Sequence, residues 1–201
     1  MTAPRPPADI ADRNPMTTTV PTGRVVHRFF TASNEPIYFD PSQDGRLNAP
    51  DGAYGVLYAA KRPQGAFAET FLREPGRTQL AADLIARKAY ARIEVTRPLR
   101  LINLHGPGLA RLGATAEVTH GGLPYTAPQA WSAAIHAHPP APDGIAYKAR
   151  HDDREICYAL FDRAAPALRE LGRERDLDQG WFYELAEPYG VGIAPPGLAA
   201  S

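Results

Sequence analysis

Three side chains in the first half of this 201-residue chain have types and surroundings that could do chemistry: Arg46, Tyr58 and Glu69. Arg46 lies in Asp44-Gly45-Arg46-Leu47-Asn48, ahead of Gly52. Glycine lets backbone approach a ligand closely, and a guanidinium can grip a phosphate or pyrophosphate through two parallel hydrogen bonds. Tyr58 ends the apolar run Val56-Leu57-Tyr58, where its ring can stack on a planar ligand. Glu69 sits among small and apolar neighbours, Gly65-Ala66-Phe67-Ala68-Glu69-Thr70-Phe71. A carboxylate there can orient a ribose hydroxyl and stabilise the oxocarbenium ion formed when a glycosidic C–N bond breaks. Taken singly, each also has a plain reading: a surface arginine, a core tyrosine and a partly exposed helix glutamate.

Order and spacing make the set more specific. Tyr58 lies twelve positions after Arg46, and Glu69 eleven positions after Tyr58. The sequence Gly-Arg-x-Asn, then a short strand ending in Tyr-Ala, then a small-residue helix with Glu, resembles the RES-domain family. That family's usual form is Gly-Gly-Arg-Trp-Asn, a Leu-Tyr-(Thr/Ala) strand and an Ala-rich helix carrying Glu. Val26-His27-Arg28-Phe29 resembles its opening strand, and Asp143 through Asp152 with Cys157 to Asp162 resembles its third block. The resemblance covers roughly residues 24–162.

The resemblance implies a fold related to ADP-ribosyltransferases of the diphtheria-toxin type. It implies an NAD-consuming enzyme that cleaves the nicotinamide–ribose bond, passing ADP-ribose to water, phosphate or protein. NAD is then a substrate and no cofactor is needed. It also implies the toxin of a toxin–antitoxin pair, with an antitoxin protein as partner. Carried over, Arg46 grips the phosphate side of NAD, Tyr58 stacks at the nicotinamide ribose, and Glu69 supports the transition state. Arg28 and Asn48 become further pocket residues, and Ala149 and Arg150 occupy the third block's Ser-Arg positions. Two residues depart from the pattern: Leu47 replaces the Trp, and Ala149 replaces the Ser. The lost hydroxyl leaves open a weakened enzyme, an engineered silencing, a shifted acceptor site, or a non-catalytic module that binds NAD or ADP-ribose.

The elements that must position these groups read as α+β: a bent antiparallel or mixed sheet flanked by helices, in a single domain. Strands are expected at Val25–Phe30, Gly55–Ala60, Ala91–Thr96, Leu99–Leu104, Gly144–Tyr147 and Ile156–Phe161. Pro63 suits the first turn of a helix over Gln64–Arg73. Thr78 is expected to cap a helix through Lys88, and Thr126 to open one ending near His136. A further helix is expected over Ala165–Arg175, with its mixed charges on a solvated face, and Trp181–Leu185 is expected to close the sheet. Thr31 to Ala53 reads as one long, functional loop. The expected domain spans residues 23–193, extended beyond the third block. A Pro-rich leader over 1–22 and a tail over 194–201 are expected to be loose.

Composition narrows the partners. Lys+Arg and Asp+Glu are both 22, so no basic bias points to nucleic acid. A neutral chain lacks charge-based protection from self-association, and a homo-oligomer is expected. No apolar run reaches the roughly 18 residues that span a bilayer, so a cytoplasmic protein is expected. The single cysteine, Cys157, reads as a core residue and precludes an intrachain disulfide. His136 and His138 read as a helix end stabilised by the macrodipole, and no metal site is expected. No glycine run fits a dinucleotide-fold fingerprint, so NAD would be split here and not held as a hydride carrier.

Overall fold

The computed structural model describes residues 3–74, 76 and 78–193. Its strands are β1 (Thr17–Val20), β2 (Val25–Thr31), β3 (Val56–Ala60), β4 (Gln79–Leu80), β5 (Lys88–Val95), β6 (Leu99–Asn103), β7 (Gly144–Ala149), β8 (Asp152–Phe161), β9 (Leu168–Glu174) and β10 (Gly192–Ile193). Its helices are α1 (Pro63–Phe71), α2 (Ala82–Ala86), α3 (Pro107–Leu112), α4 (Glu117–His120), α5 (Thr126–His136) and α6 (Gly180–Ala186). Eight strands form one sheet in the order β1-β6-β7-β8-β3-β2-β5-β9, and β4 pairs with β10 in a small parallel pair. Only β6 and β7 run parallel within the large sheet. The expected α+β class, with a mixed sheet and flanking helices, is what the chain adopts.

Alternation along the strands explains two cores. Phe29, Val56, Ala60, Ile145 and Tyr147 face one side, where α1, α5 and α6 bury Phe67, Trp131 and Phe182 against them. Val26, Leu57, Ile93, Leu99 and Leu160 face the other side. There the 3-10 segment Asp162–Ala167 adds Ala164 and Ala167. Each large apolar side chain withdrawn from water in this way contributes about 1.5–3 kcal/mol.

The sheet consists of two halves with a seam between them. β2 pairs with β5 over seven positions, from Val25↔Glu94 to Thr31↔Lys88, and β3 pairs with β8 over five. Between β2 and β3 the register holds one pair among the described residues, His27↔Ala60. Past it the strands diverge, and the opening becomes the site described below.

Four expectations are corrected. Residues 1–22, expected to be a loose leader, contain β1, which pairs with β6 from Thr17↔Ile102 to Val20↔Leu99. Earlier in the same stretch, the Pro4 carbonyl accepts a hydrogen bond from the buried Trp131 indole at 2.7 Å. The helix expected from Thr78 to Lys88 is three pieces: β4, then α2 with Ala81 at its N-cap, then the start of β5. The helix expected over Ala165–Arg175 is the 3-10 segment followed by strand β9, which pairs with β5. Trp181–Leu185, expected as a strand, lies in helix α6 and buries Phe182, Leu185 and Ala186 at helical spacing. Residues 194–201 lie outside the described residues.

Candidate active site

The seam between β2 and β3 opens into a cavity of ≈ 530 Å³. β2 contributes Arg28, β3 contributes Tyr58, and α1 runs along the cavity with Glu69. The loop from Thr31 to Ala53 arches over it and delivers Arg46. The expected triad thus converges on one place. Its lining holds five cationic side chains (Arg28, Arg46, Arg73, Lys88 and Arg150) against three carboxylates (Asp40, Asp44 and Glu69). A neutral chain has therefore concentrated positive charge at one opening, which draws anionic ligands.

Glu69 is held at both carboxylate oxygens. The Tyr147 hydroxyl donates to Oε2 at 3.2 Å, and the Arg150 backbone N–H donates to Oε1 at 2.8 Å. Pro63 starts α1 at a position where its missing N–H costs nothing, and the helix turns Ala66, Phe67 and Phe71 into the core. Glu69 is left at the boundary, half-buried. The register of β7 against β8 shifts between Lys148 and Ala149. Arg150 follows in the turn to β8, and its amide serves Glu69. Burial pushes the Tyr147 phenol far above its ordinary range, and the Glu69 charge adds to this. It therefore stays protonated as a donor.

The Arg46 loop is anchored by Tyr58 and Asn48. The Tyr58 hydroxyl accepts the Leu47 N–H at 2.8 Å and donates to Asn48 Oδ1 at 3.0 Å. Asn48 Nδ2 donates in turn to the Ser42 carbonyl at 2.8 Å. Burial raises the Tyr58 phenol above its ordinary range, opposed by the Leu47 N–H. Gly45 is required here because a Cβ would lie 2.2 Å from Asn48 Oδ1 and 2.8 Å from the Tyr58 hydroxyl. Arg46 Nη1 donates to the Thr119 carbonyl at 2.6 Å, and its guanidinium lies 5.7 Å from the Tyr125 ring centre. Its Nε is buried with no hydrogen-bond partner.

The other expected site residues divide. Arg28 lines the cavity and donates to the Tyr38 carbonyl at 3.1 Å. Burial lowers it to about 10, against the pull of Asp40, so it remains cationic at neutral pH. Arg150 lines the cavity and also supplies the backbone bond to Glu69. Asn48 is fully buried and organises the loop without facing the opening. Ala149 is fully buried too, beside Arg150 but off the cavity lining. Sequence reasoning did not single out Tyr147, Tyr125, Arg73 or Lys88, all of which line the cavity, as does His151. Tyr147 lay in the third block and could have been found there. Burial, with Arg150 adding to it, lowers the His151 imidazole and favours its neutral form. No group of three or more His, Cys, Asp or Glu among the described residues is placed to hold a metal ion. His136 closes α5 as expected, and Cys157 is buried, its thiol near the Gly65 carbonyl at 3.7 Å.

This fold and site define a family. The chain belongs to the RES-domain family, whose description matches residues 23–183. The matched span takes in β9 and most of α6, beyond the third block. Over 78 residues the chain is 36% identical to "Probable toxin y4kH" of Sinorhizobium fredii, an alignment that covers 39% of this chain and 60% of that protein. Its fold is similar to that of a chain in the crystal structure of the M. tuberculosis MbcT–MbcA toxin–antitoxin complex. The TM-score is 0.65 at 17% identity, over 84% of this chain and 92% of that one.

Proposed function

We propose that the chain is an enzyme that cleaves the nicotinamide–ribose bond of NAD, and that it is the toxin of a toxin–antitoxin pair. One observation carries the reading: Glu69, fixed at both oxygens, faces a cavity otherwise rich in arginine. In the reaction the C1′–N bond breaks and its electron pair leaves with the ring nitrogen, turning the pyridinium into neutral nicotinamide. The ribose is left as an oxocarbenium ion. The Glu69 carboxylate stabilises that positive charge, and its two hydrogen bonds keep it oriented while the charge develops. A lone pair of water or phosphate then closes on C1′, and the acceptor releases its proton to solvent. Arg46, which lines the cavity, provides a guanidinium for an anionic part of the substrate. NAD enters as a substrate, and no resident cofactor takes part.

The likeness to a probable toxin and to a chain from a toxin–antitoxin complex supports the biological half of the reading. A cognate antitoxin is the partner it implies. The test is time-dependent nicotinamide release from NAD, with and without phosphate. Glu69→Gln keeps the hydrogen-bonding shape, removes the charge, and should lower the rate by about 100-fold or more. Release by Glu69→Gln as fast as by the parent would remove Glu69 from the role.

Ala149, at the family's Ser position, favours a second reading: a module that binds NAD or ADP-ribose without splitting it. Thermal stabilisation by the ligand with no product over time would decide for this reading. Product that grows with time decides for the enzyme. Release by Ala149→Ser and not by the parent would identify a site intact but for one hydroxyl.

A further inference from the structure

The segment that delivers Arg46 forms no strand or helix, so its backbone carbonyls need partners from elsewhere. Helix α5 supplies them. Gln129 Nε2 donates to the Gln43 carbonyl at 2.7 Å and to the Gly45 carbonyl at 3.2 Å. Both partners are acceptors, so the amide presents its nitrogen, with one N–H for each. Three residues on, the Ser132 hydroxyl donates to the Leu47 carbonyl at 2.6 Å. α5 thus holds the carbonyls at positions 43, 45 and 47, and Arg46 stands between the last two.

Ser132 is itself supported. The Tyr54 hydroxyl donates to Ser132 Oγ at 2.8 Å, and burial raises that phenol to about 12, so it stays a donor. A hydroxyl has one hydrogen, and accepting from Tyr54 leaves the Ser132 proton for Leu47. His136 stacks on the Tyr54 ring with 3.9 Å between centres. Gln129, Ser132 and His136 are three and four residues apart, so they share one face of α5. Trp131 and Ile135 of the same helix are core residues. Gln129 and Ser132 are buried as well, yet neither lines the cavity. A buried amide or hydroxyl costs free energy unless it is bonded, and an apolar side chain in the same place carries no such cost. What these two polar groups add is a fixed path for the loop.

We infer that α5 is the template of the Arg46 loop, and that Gln129 and Ser132 are positioning residues acting through the Gly45 and Leu47 carbonyls on either side of Arg46. The Arg46 side chain is held from the same quarter, since Thr119, whose carbonyl it meets, belongs to α4, which packs on α5. Neither Gln129 nor Ser132 touches the ligand; each sets where the guanidinium stands. This rests on the cleavage reading only for the expected change in turnover, and the placement of Arg46 is independent of it.

Two variants test it, each shown by circular dichroism to be folded: Gln129→Met, which keeps the length and loses both N–H donors, and Ser132→Ala. If one fails to fold, the other decides. The first measurement is hydrogen exchange without ligand. The Leu47 amide, bonded to the Tyr58 hydroxyl, and the Asn48 amide, bonded to the Gly45 carbonyl, should exchange about tenfold faster in the variants, while amides of β3 and β8 keep their rates. The second is calorimetric binding of ADP-ribose, which needs no bond cleavage. It should weaken about tenfold in each variant. In an Arg46→Gln background the same substitutions should weaken it by less than about threefold, because their effect passes through Arg46. A general loosening of the core would weaken binding equally in both backgrounds. In nicotinamide release, KM for NAD should rise about tenfold with kcat changed less. Unchanged exchange or unchanged affinity in the folded variants, a full effect persisting in Arg46→Gln, or no binding by the parent overturns the inference. Absence of nicotinamide release from the parent, with the exchange and binding results as expected, removes the cleavage reading alone.

Discussion

In the proposed reaction, Glu69 works through the groups that hold it as much as through its own charge. The Tyr147 hydroxyl sits on one oxygen and the Arg150 amide on the other. Tyr147→Phe removes one of these and keeps the buried ring. A hydrogen bond to a charged group is worth about 1.5–3 kcal/mol. With Arg150 still in place and the cavity open to water, a loss near the lower bound is expected, a fall in kcat of about tenfold with KM nearly unchanged. Steady-state kinetics on NAD checks it, and a rise in KM with constant kcat would show that Tyr147 holds substrate and not the carboxylate. The triad of Arg46, Tyr58 and Glu69 was legible in the sequence because each lies in a short motif of unusual composition. Tyr147 and Lys88 were not, because a tyrosine in an apolar strand and a lysine at a strand start look ordinary until the fold brings them to the seam. Asn48 was legible as a member of the motif, but its work is to tie Tyr58 to the Ser42 carbonyl.

Elements were most legible where one local signal dominated. Val25–Thr31 alternates, Pro63 opens α1, and Thr126 begins α5 where the sequence places it. β9 was read as a helix because its charges fall at helical spacing. Its pairing with β5 decides otherwise, and Arg169 meets Glu94 directly across the strands. α6 was read as a strand because Trp181, Phe182 and Tyr183 favour strands. The competing signal was present in Phe182, Leu185 and Ala186, which share a helical face. The loop carrying Arg46 is the element most exposed to a small change. Gly45→Ala would force a methyl into the Asn48 amide and the Tyr58 hydroxyl. Overpacking of this kind costs about 1–3 kcal/mol, which thermal unfolding would show as a lowered Tm. Ligand affinity should fall in parallel, because the same contacts place Arg46.

At the scale of the whole molecule, pH should act through histidines that the fold keeps neutral. Burial, with Arg92 adding to it, lowers His27 to about 4, and burial likewise lowers His105, His136 and His151. Such a group binds its proton more readily in the unfolded chain, whose imidazoles titrate near 6.5. Stability is therefore full above that value and declines as pH falls from about 6.5 towards 4. Tm measured across that range should drop, and His27→Gln should flatten the slope. A slope unchanged by His27→Gln would assign the acid sensitivity to other groups. The N-terminal stretch also belongs to this scale. Its prolines suggest looseness, but β1 borrows its order from β6, a partner far along the chain that no local window contains.

The seam at His27↔Ala60 has a mechanical consequence. A sheet whose halves share one rung at that point has a built-in line of weakness, and the site lies along it. A molecule seated there touches Arg28 on one lip and Tyr58 on the other, so it acts as a clasp. Amide protons of β2 and β3 beside the opening should exchange with deuterium faster than those of β2 against β5, and they should slow most when the cleft is filled. A ligand bound in the cleft would then also be, briefly, part of the architecture.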